Sequence, residues 1–155
     1  MPNTNVLKKL YLFKDLSDKE IEVISKSATD KKLLPGDEVF SQGSRAKALF
    51  IIQSGAVKIS QNLESGDAVE ITRLGPGAHF GEMSFLDGEL RSAGAQAIEP
   101  TEIVEVNYDK LSEIMINHPG IAVHFYRQFA HFLCGRLRIT TKDLSFSRSK
   151  VLSHF

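Results

Sequence analysis

A change of hydrophobic period in the middle of the chain most constrains its fold. Between Lys31 and Asn107, short apolar segments alternate with turns rich in glycine, proline, serine and aspartate. This spacing is typical of an antiparallel sandwich or small barrel. About eight strands fit into the region, the size at which a barrel is filled by side chains or holds one small ligand. The apolar segments are Leu33–Leu34, Val39–Phe40, Leu49–Ile52, Val57–Ile59, Val69–Ile71 and Ile103–Val106.

Helical signals lie on both sides of the β region. Ser17-Asp18-Lys19-Glu20 has the form of a capping box and predicts a short helix from about Ser17 to Ala28. After Asn107 the helical period returns in a short segment around Tyr108–Asn117, which ends at His118-Pro119-Gly120. We therefore predict a mainly β fold with flanking helices.

The predicted organisation is one domain over residues 1–155, because 155 residues suffice for one compact core. Within it, we expect a β-roll over about 31–107 and C-terminal helices over about 108–150.

The last predicted helix runs from Ile121 to about Leu144 and is apolar on two faces. On the second face the residues are spaced alternately by three and four, which is the pattern of a coiled-coil seam. Such a helix packs on its own domain with one face and on a second body with the other, or it is sunk in its own core; the pattern alone leaves both open. The first face carries Phe125, Phe129, Phe132 and Ile139, and the second carries Val123, Tyr126, Ala130, Leu133, Leu137, Thr140, Leu144 and Val151.

The charge balance argues against binding to nucleic acid or to anionic lipid through bulk charge. Nineteen basic residues match nineteen acidic ones, and residues 33–110 hold twelve acidic against six basic residues. Any anion must therefore be captured locally. Cys134 is the only cysteine, the first ten residues lack the apolar run of a signal peptide, and no stretch approaches the roughly 20 apolar residues of a membrane helix. We expect a cytoplasmic protein that is not membrane-bound.

Residues 80–95 contain the parts of an anion-binding loop. Gly81 permits close backbone approach, small Ser84 leaves a helical turn open, and Arg91 can add a bidentate guanidinium. Glu82 cannot bind phosphate, but it can accept hydrogen bonds from a sugar hydroxyl. The simpler alternative is a surface ion pair between Glu82 and Arg91, worth about 0–1 kcal/mol.

This stretch, Phe80-Gly81-Glu82-Met83-Ser84-Phe85-Leu86 followed by Arg91-Ser92, resembles the phosphate-binding cassette of cyclic nucleotide-binding domains. Two upstream segments, Leu34–Gly43 and Leu49–Val57, resemble that family's glycine-bearing strand signatures. The resemblance implies a jelly-roll β barrel, flanked by helices, that binds a 3′,5′-cyclic nucleotide. Leu90 and Gly94 depart from the family pattern, in which proline and a larger residue are common.

The resemblance also implies a role for each residue of the site. Glu82 would accept from the ribose 2′-hydroxyl, Arg91 would pair with the cyclic phosphate, and Ile71 would lie against the base. The remaining predicted site residues form the phosphate cradle or lie within its segment: Gly81, Met83, Ser84, Ser92 and Ala93.

The segment Arg136–Leu144 resembles the dimer helix of bacterial cyclic-AMP receptor proteins. In that subfamily, the residue at the Thr140 position contacts the base of its own subunit, and the one at the Thr141 position reaches the base held by the partner. The alternative is that Thr140 and Thr141 are simply polar residues on the surface of the helix. The resemblance favours cAMP and a homodimer through this helix, although Ser92 leaves cGMP open.

Other functions find little support in the sequence. Eleven residues follow Leu144, too few for the DNA-binding module of that subfamily, so we expect no direct DNA binding. No dinucleotide or phosphate-loop motif points to an enzyme, the five histidines lack metal-ligand spacing, and Cys134 is expected to be a buried thiol. Two hypotheses remain: a stand-alone cyclic nucleotide sensor that acts on an unknown protein effector through its C-terminal helix, or a scaffold that kept the fold and lost the ligand.

Overall fold

Eight antiparallel strands form two four-stranded sheets in residues 4–152, the part of the chain that the computed structural model describes, with side chains described to residue 148. The first sheet has the order β1-β8-β3-β6 and the second β2-β7-β4-β5. The prediction of about eight strands between flanking helices is confirmed. The strands are β1 (Ala28–Leu33), β2 (Glu38–Phe40), β3 (Ala48–Ser54), β4 (Val57–Asn62), β5 (Ala68–Leu74), β6 (His79–Phe80), β7 (Gly94–Ala97) and β8 (Thr101–Asn107).

The expectation of a closed barrel is wrong. Among the described residues, strand pairing stops at the edges of each sheet, and β6 at one edge has only two residues. The fold is therefore a β-roll of two facing sheets rather than a barrel.

Two apolar cores share strand β3, whose first five residues are all buried. Phe50 and Phe80 stack between the sheets with ring centroids 5.2 Å apart, and Phe40 adds a third ring. On the other face of β3, Leu49 and Ile51 pack against the helices. Strand β8 is shared in the same way, with Ile103 in the core between the sheets and Val104 and Val106 in the core under the helices, so two paired strands join helices and sheets.

The N-terminal segment holds more helix than the sequence predicted. Helix α1 (Thr4–Lys9) and a 3-10 turn (Tyr11–Phe13) precede α2 (Asp18–Ser25). The predicted capping box of α2 is confirmed, with Ser17 Oγ accepting from the Glu20 amide and Glu20 Oε1 accepting from the Ser17 amide. The helix ends before the predicted Ala28, because that residue already begins β1 in register with Val106.

Three further helices complete the fold. A short α3 (Met83–Asp87) lies between β6 and β7 in sequence, α4 (Tyr108–Asn117) has the predicted bounds, and α5 (Pro119–Leu152) extends beyond the predicted Leu144. No helix among the described residues combines the length and apolar character needed to cross a bilayer.

The two faces of α5 have different surroundings. Phe125 and Phe129 of the first face are buried, whereas Val123, Tyr126 and Leu137 of the second face are exposed. From residue 134 to residue 148 every side chain is exposed, so the prediction of a buried Cys134 is wrong. The helix leaves the body of the protein along this segment. Val151 lies outside the described side chains.

Candidate functional site

A cavity of about 240 Å³ lies at the mouth of the β-roll, beside α3. Strands β2, β4, β5 and β6, the segment 81–93 and one residue of α5 line it. Eight of the ten predicted site residues are brought together here: Ile71, Gly81, Glu82, Met83, Ser84, Arg91, Ser92 and Ala93.

Arg91 lines this cavity and is buried, with 6% of its surface exposed. Its Nη1 donates to the Gly81 carbonyl at 2.8 Å and its Nη2 to the Ala48 carbonyl at 2.5 Å. The guanidinium carbon lies 4.0 Å from the centre of the Phe40 ring, a cation–π contact. The side chain is therefore held by the protein itself at the edge of the cavity.

The backbone of Arg91 is held as firmly as its side chain. The Arg91 amide donates to the Ser44 carbonyl at 2.9 Å, and the Gly43 amide donates to the Arg91 carbonyl at 2.8 Å. The turn at Gly43-Ser44, part of an upstream signature in the sequence, thus positions the predicted phosphate ligand.

Gly81 could not be replaced by a larger residue without moving Arg91. Its φ is +80°, in the region that favours glycine, and a Cβ atom would lie 2.9 Å from Arg91 Nη1. The glycine therefore provides the close approach that the sequence predicted, but the group that approaches in this structure is the guanidinium.

Glu82 is also buried, with 4% of its surface exposed, and its partner is His79. His79 Nδ1 lies 3.3 Å from Glu82 Oε1, within ion-pair distance, but at an angle that does not make a hydrogen bond. Among the described ion pairs, Glu82 has this contact and none with Arg91. The alternative of a surface ion pair between Glu82 and Arg91 is therefore wrong.

Buried side-chain atoms without a hydrogen-bond partner, within the described part of the chain, belong to residues that line this cavity. Three buried side-chain atoms within the described residues lack a hydrogen-bond partner: Glu82 Oε2, Arg91 Nε and His79 Nδ1. All three residues line the cavity. Because buried polar groups are almost always hydrogen-bonded, this concentration indicates a site built for a polar ligand.

The helical turn beside the cavity presents backbone amides. Glu82 is the N-cap of α3, and its side chain makes no capping hydrogen bond within the described structure. The Met83 and Ser84 amides at the start of α3 thus have no side-chain cap, and both residues line the cavity. Helix α3 is capped at its carboxyl end by Gly88, whose φ is +69°.

A chain of aromatic rings connects Arg91 to α5. The Tyr108 hydroxyl donates to the Gly81 carbonyl and accepts from Arg91 Nη1 at 3.4 Å. The Tyr108 ring lies 5.1 Å from that of Phe85, which meets Phe125 edge-on at 5.7 Å. Burial raises the pKa of Tyr108, so its hydroxyl remains a neutral donor. A displacement of Arg91 would therefore reach α5 through three rings.

Thr140 and Thr141 lie outside the cavity. Both are exposed on α5 and donate their hydroxyls to the carbonyls of Arg136 and Leu137, four residues earlier. The residue of α5 that lines the cavity is Arg136, one turn before Thr140, because the helix leaves the body beyond it. The predicted base contacts of the two threonines stay predictions.

Sequence reasoning missed three polar residues of the site: His79, Tyr108 and Arg136. The spacing of Arg136 from Thr140 on one helix face could have identified it. No comparable signal marks Tyr108, which meets Gly81 only through the fold. Among the described residues, no group of histidine, cysteine and carboxylate side chains could hold a metal ion.

Comparison with known proteins gives a family match over the β region. Residues 30–118 match the family model described as the cyclic nucleotide-binding domain. The cyclic AMP receptor protein of Thermus thermophilus is 34% identical over 134 residues, which cover 86% of this chain and 60% of that protein. Glutaminase 2 of Bradyrhizobium diazoefficiens is 36% identical over 126 residues, which cover 81% of this chain and 19% of that protein.

Solved structures show the same fold. The Catabolite Activator Protein of Thermus thermophilus superposes with a TM-score of 0.75 at 29% identity, covering 88% of this chain and 62% of that one. A cyclic nucleotide-binding domain from Methylobacillus flagellatus gives a TM-score of 0.77 at 24% identity, with coverages of 90% and 79%. The chain spans less than two thirds of the length of both curated relatives.

Proposed function

Because the chain belongs to the cyclic nucleotide-binding domain family, we propose that it is a sensor that binds a 3′,5′-cyclic nucleotide, cAMP in the first place, in the cavity beside Arg91. Binding would change the position or exposure of α5, which would act on a partner protein. The role is regulatory rather than catalytic.

The convergence of unpartnered polar atoms carries this proposal. Glu82 Oε2 is a free acceptor and Arg91 Nε a free donor, and both residues line one cavity. A ribose hydroxyl can donate to the carboxylate, while a cyclic phosphate can accept from the guanidinium and from the amides at the start of α3. One ligand with a sugar and an anionic phosphate would satisfy both groups.

The contacts of Arg91 suggest how binding is relayed. A phosphate competes with the Gly81 and Ala48 carbonyls for the two Nη groups. When Nη1 turns to the ligand, Tyr108 loses one of its two polar contacts, and its ring can shift against Phe85. The ligand would thereby act on α5 by a change in population between two arrangements.

The base is proposed to lie along β5. Ile71 lines the cavity and is half exposed, so a base covering it would bury apolar surface. Ser92 lies on the same cavity and can bond the base edge of a guanine. The choice between cAMP and cGMP rests on these residues.

The exposed face of α5 is proposed to form a homodimer. Val123, Tyr126, Leu137 and Leu144 are all largely exposed and follow the spacing of a coiled-coil seam. Pairing of two such helices would bury them together. It would also bring the partner's helix to the cavity side, where Thr140 and Thr141 could contribute to the two sites.

Isothermal titration calorimetry with cAMP and with cGMP tests the proposal. We expect micromolar or tighter binding of at least one nucleotide. Arg91→Lys and Glu82→Gln should each weaken it by roughly 10- to 100-fold, because each removes a charge-assisted hydrogen bond worth about 1.5–3 kcal/mol.

Matched controls come from the same region. Arg73→Lys and Glu89→Gln change an exposed arginine of β5 and an exposed glutamate of the cassette, and they should leave the affinity unchanged. Thermal unfolding of each variant checks that it is folded. If the folded wild-type protein gives no heat with either nucleotide, the sensor proposal fails and the scaffold hypothesis takes its place.

A further inference from the structure

His79 is an ionisable group enclosed between the candidate site and α5, and the proposed nucleotide contacts do not use it. Its side chain is 10% exposed, and Nδ1 lies 3.3 Å from Glu82 Oε1. The ring also packs on Phe132 of α5, with centroids 5.0 Å apart and planes tilted by 56°. The imidazole thus contacts both the Glu82 carboxylate and a side chain of α5.

Positive charges outnumber negative charges around His79. Glu82 is the one acidic residue in the described cavity lining, which also holds Arg91 and Arg136. The Arg136 guanidinium lies 5.1 Å from the Phe132 ring. Two positive charges and one negative charge therefore share the cavity with the imidazole.

Neither strand β3 nor the 3-10 turn contains an acidic or basic residue. Strand β3 pairs Ile51 with His79. Tyr11 of the 3-10 turn packs on Phe132 and is hydrogen-bonded to His131 Nδ1 at 2.6 Å. His131 is thus engaged by Tyr11, does not line the cavity as described, and serves as a control.

We propose that His79 is a positioning residue for Glu82 and that it takes up a proton from solvent when the cavity binds an anionic nucleotide. In the ligand-free structure Nδ1 lies 3.3 Å from Glu82 Oε1 without a hydrogen bond. On ligand binding Nδ1–H would move into a hydrogen bond with Oε1 and orient the carboxylate, which leaves Oε2 to accept from the ligand hydroxyl. This inference rests on the proposed function and adds the protonation state of the site to it.

Charge balance gives the direction of the coupling. The ligand phosphate brings one negative charge into a cavity that has a net positive lining, and this favours the imidazolium form of His79. Histidine is the side chain that ordinarily gains its proton between about pH 5 and 8. By linkage, a protein that takes up a proton on binding has higher affinity for the ligand at lower pH. The affinity should therefore fall as the pH rises from about 6 to about 8.

Calorimetry with cAMP over this pH range, in buffers of different ionisation enthalpy, measures both the affinity and the number of protons taken up. For the wild-type protein we expect net uptake of up to one proton and an affinity about fivefold or more lower at the alkaline end. His79→Gln should show neither effect, and it should bind more tightly than His79→Phe because its amide can still donate to Glu82. His131→Gln should keep the wild-type pH dependence. Wild-type pH dependence in His79→Gln overturns the inference.

The ligand-free protein provides a second, independent test. Nitrogen-15 NMR of the histidine rings should show the proton on Nδ1 of His79 in the wild-type protein, and a shift towards the Nε2 tautomer in Glu82→Gln. The same tautomer in both proteins overturns the inference. A complete lack of nucleotide binding would refute the proposed function instead, and the tautomer measurement would still decide the role of His79.

Discussion

Replacing Gly81 by alanine tests whether Arg91 is held as the structure shows it. The new Cβ would lie 2.9 Å from Arg91 Nη1, 3.3 Å from Phe50 Cδ2 and 3.4 Å from the Ala48 carbonyl oxygen. Phe50 is stacked in the core, so the guanidinium must move. Its hydrogen bonds to Gly81 and Ala48 would then lengthen or break.

The expected cost has two parts. Alanine at a φ of +80° costs about 1–2 kcal/mol of backbone strain, partly offset by about 0.4–1 kcal/mol from the less flexible unfolded chain. Loss of a hydrogen bond from a charged donor adds about 1.5–3 kcal/mol. Gly81→Ala should therefore lower the free energy of unfolding by roughly 2–4 kcal/mol.

Gly88→Ala is the matched control. Gly88 has a φ of +69°, but a Cβ there would meet nothing within 4 Å. Backbone strain alone should therefore lower the free energy of unfolding of this variant, by about 1 kcal/mol or less. Urea unfolding of the two variants measures the difference. In the double variant Gly81→Ala/Arg91→Lys the two effects should be less than additive, because the clash involves Arg91. Equal destabilisation by Gly81→Ala and Gly88→Ala would refute the packing of Arg91 described above.

Three further predictions concern the dimer, the buried tyrosine and the N-terminal cap. Leu137→Glu should shift the proposed dimer towards monomer in analytical ultracentrifugation, whereas Ile139→Glu, equally exposed but off the seam, should not; equal effects would contradict the seam. Tyr108→Phe should lower stability by about 1 kcal/mol near neutral pH. Because the pKa of Tyr108 is raised above 10, wild-type stability should also fall as the pH rises past that value, and the variant should lack this component. Ser17→Ala should cost about 1 kcal/mol by circular dichroism melting. The Ser17 amide lowers the pKa of Glu20, so the contribution of this carboxylate should be present above pH 4.5 and disappear as the pH falls through the folded-state pKa; Ser17→Ala keeps the amide, whereas Glu20→Gln should lose this acid component, and an unchanged acid limb in Glu20→Gln would count against it.

Local features of the fold were predictable from the sequence. The capping box at Ser17 marks the start of α2, and the His118-Pro119 step marks the end of α4. The cassette is contiguous in sequence, so most of its residues reach one cavity regardless of distant contacts.

Features that depend on distant partners were not predictable. Arg91 is turned inward by the Ala48 carbonyl and by Tyr108, 43 and 17 residues away, and no spacing rule relates these positions. The exposure of Cys134 depends on where α5 leaves the body. Each of these results from packing between elements rather than from a local pattern.

Because α5 is long, a small change of its tilt produces a large displacement of its carboxyl end. At 1.5 Å per residue its 34 residues extend about 50 Å, of which the part beyond Leu133 accounts for about 28 Å. A tilt of about 10° at its base would sweep the far end through roughly 5 Å, which is a whole helical turn. Gly135, a poor helix former, lies at the start of the part of α5 beyond Leu133, where the helix bends most easily. A sub-ångström displacement of one buried ring could in this way be amplified into a movement large enough to make or break contact with another molecule.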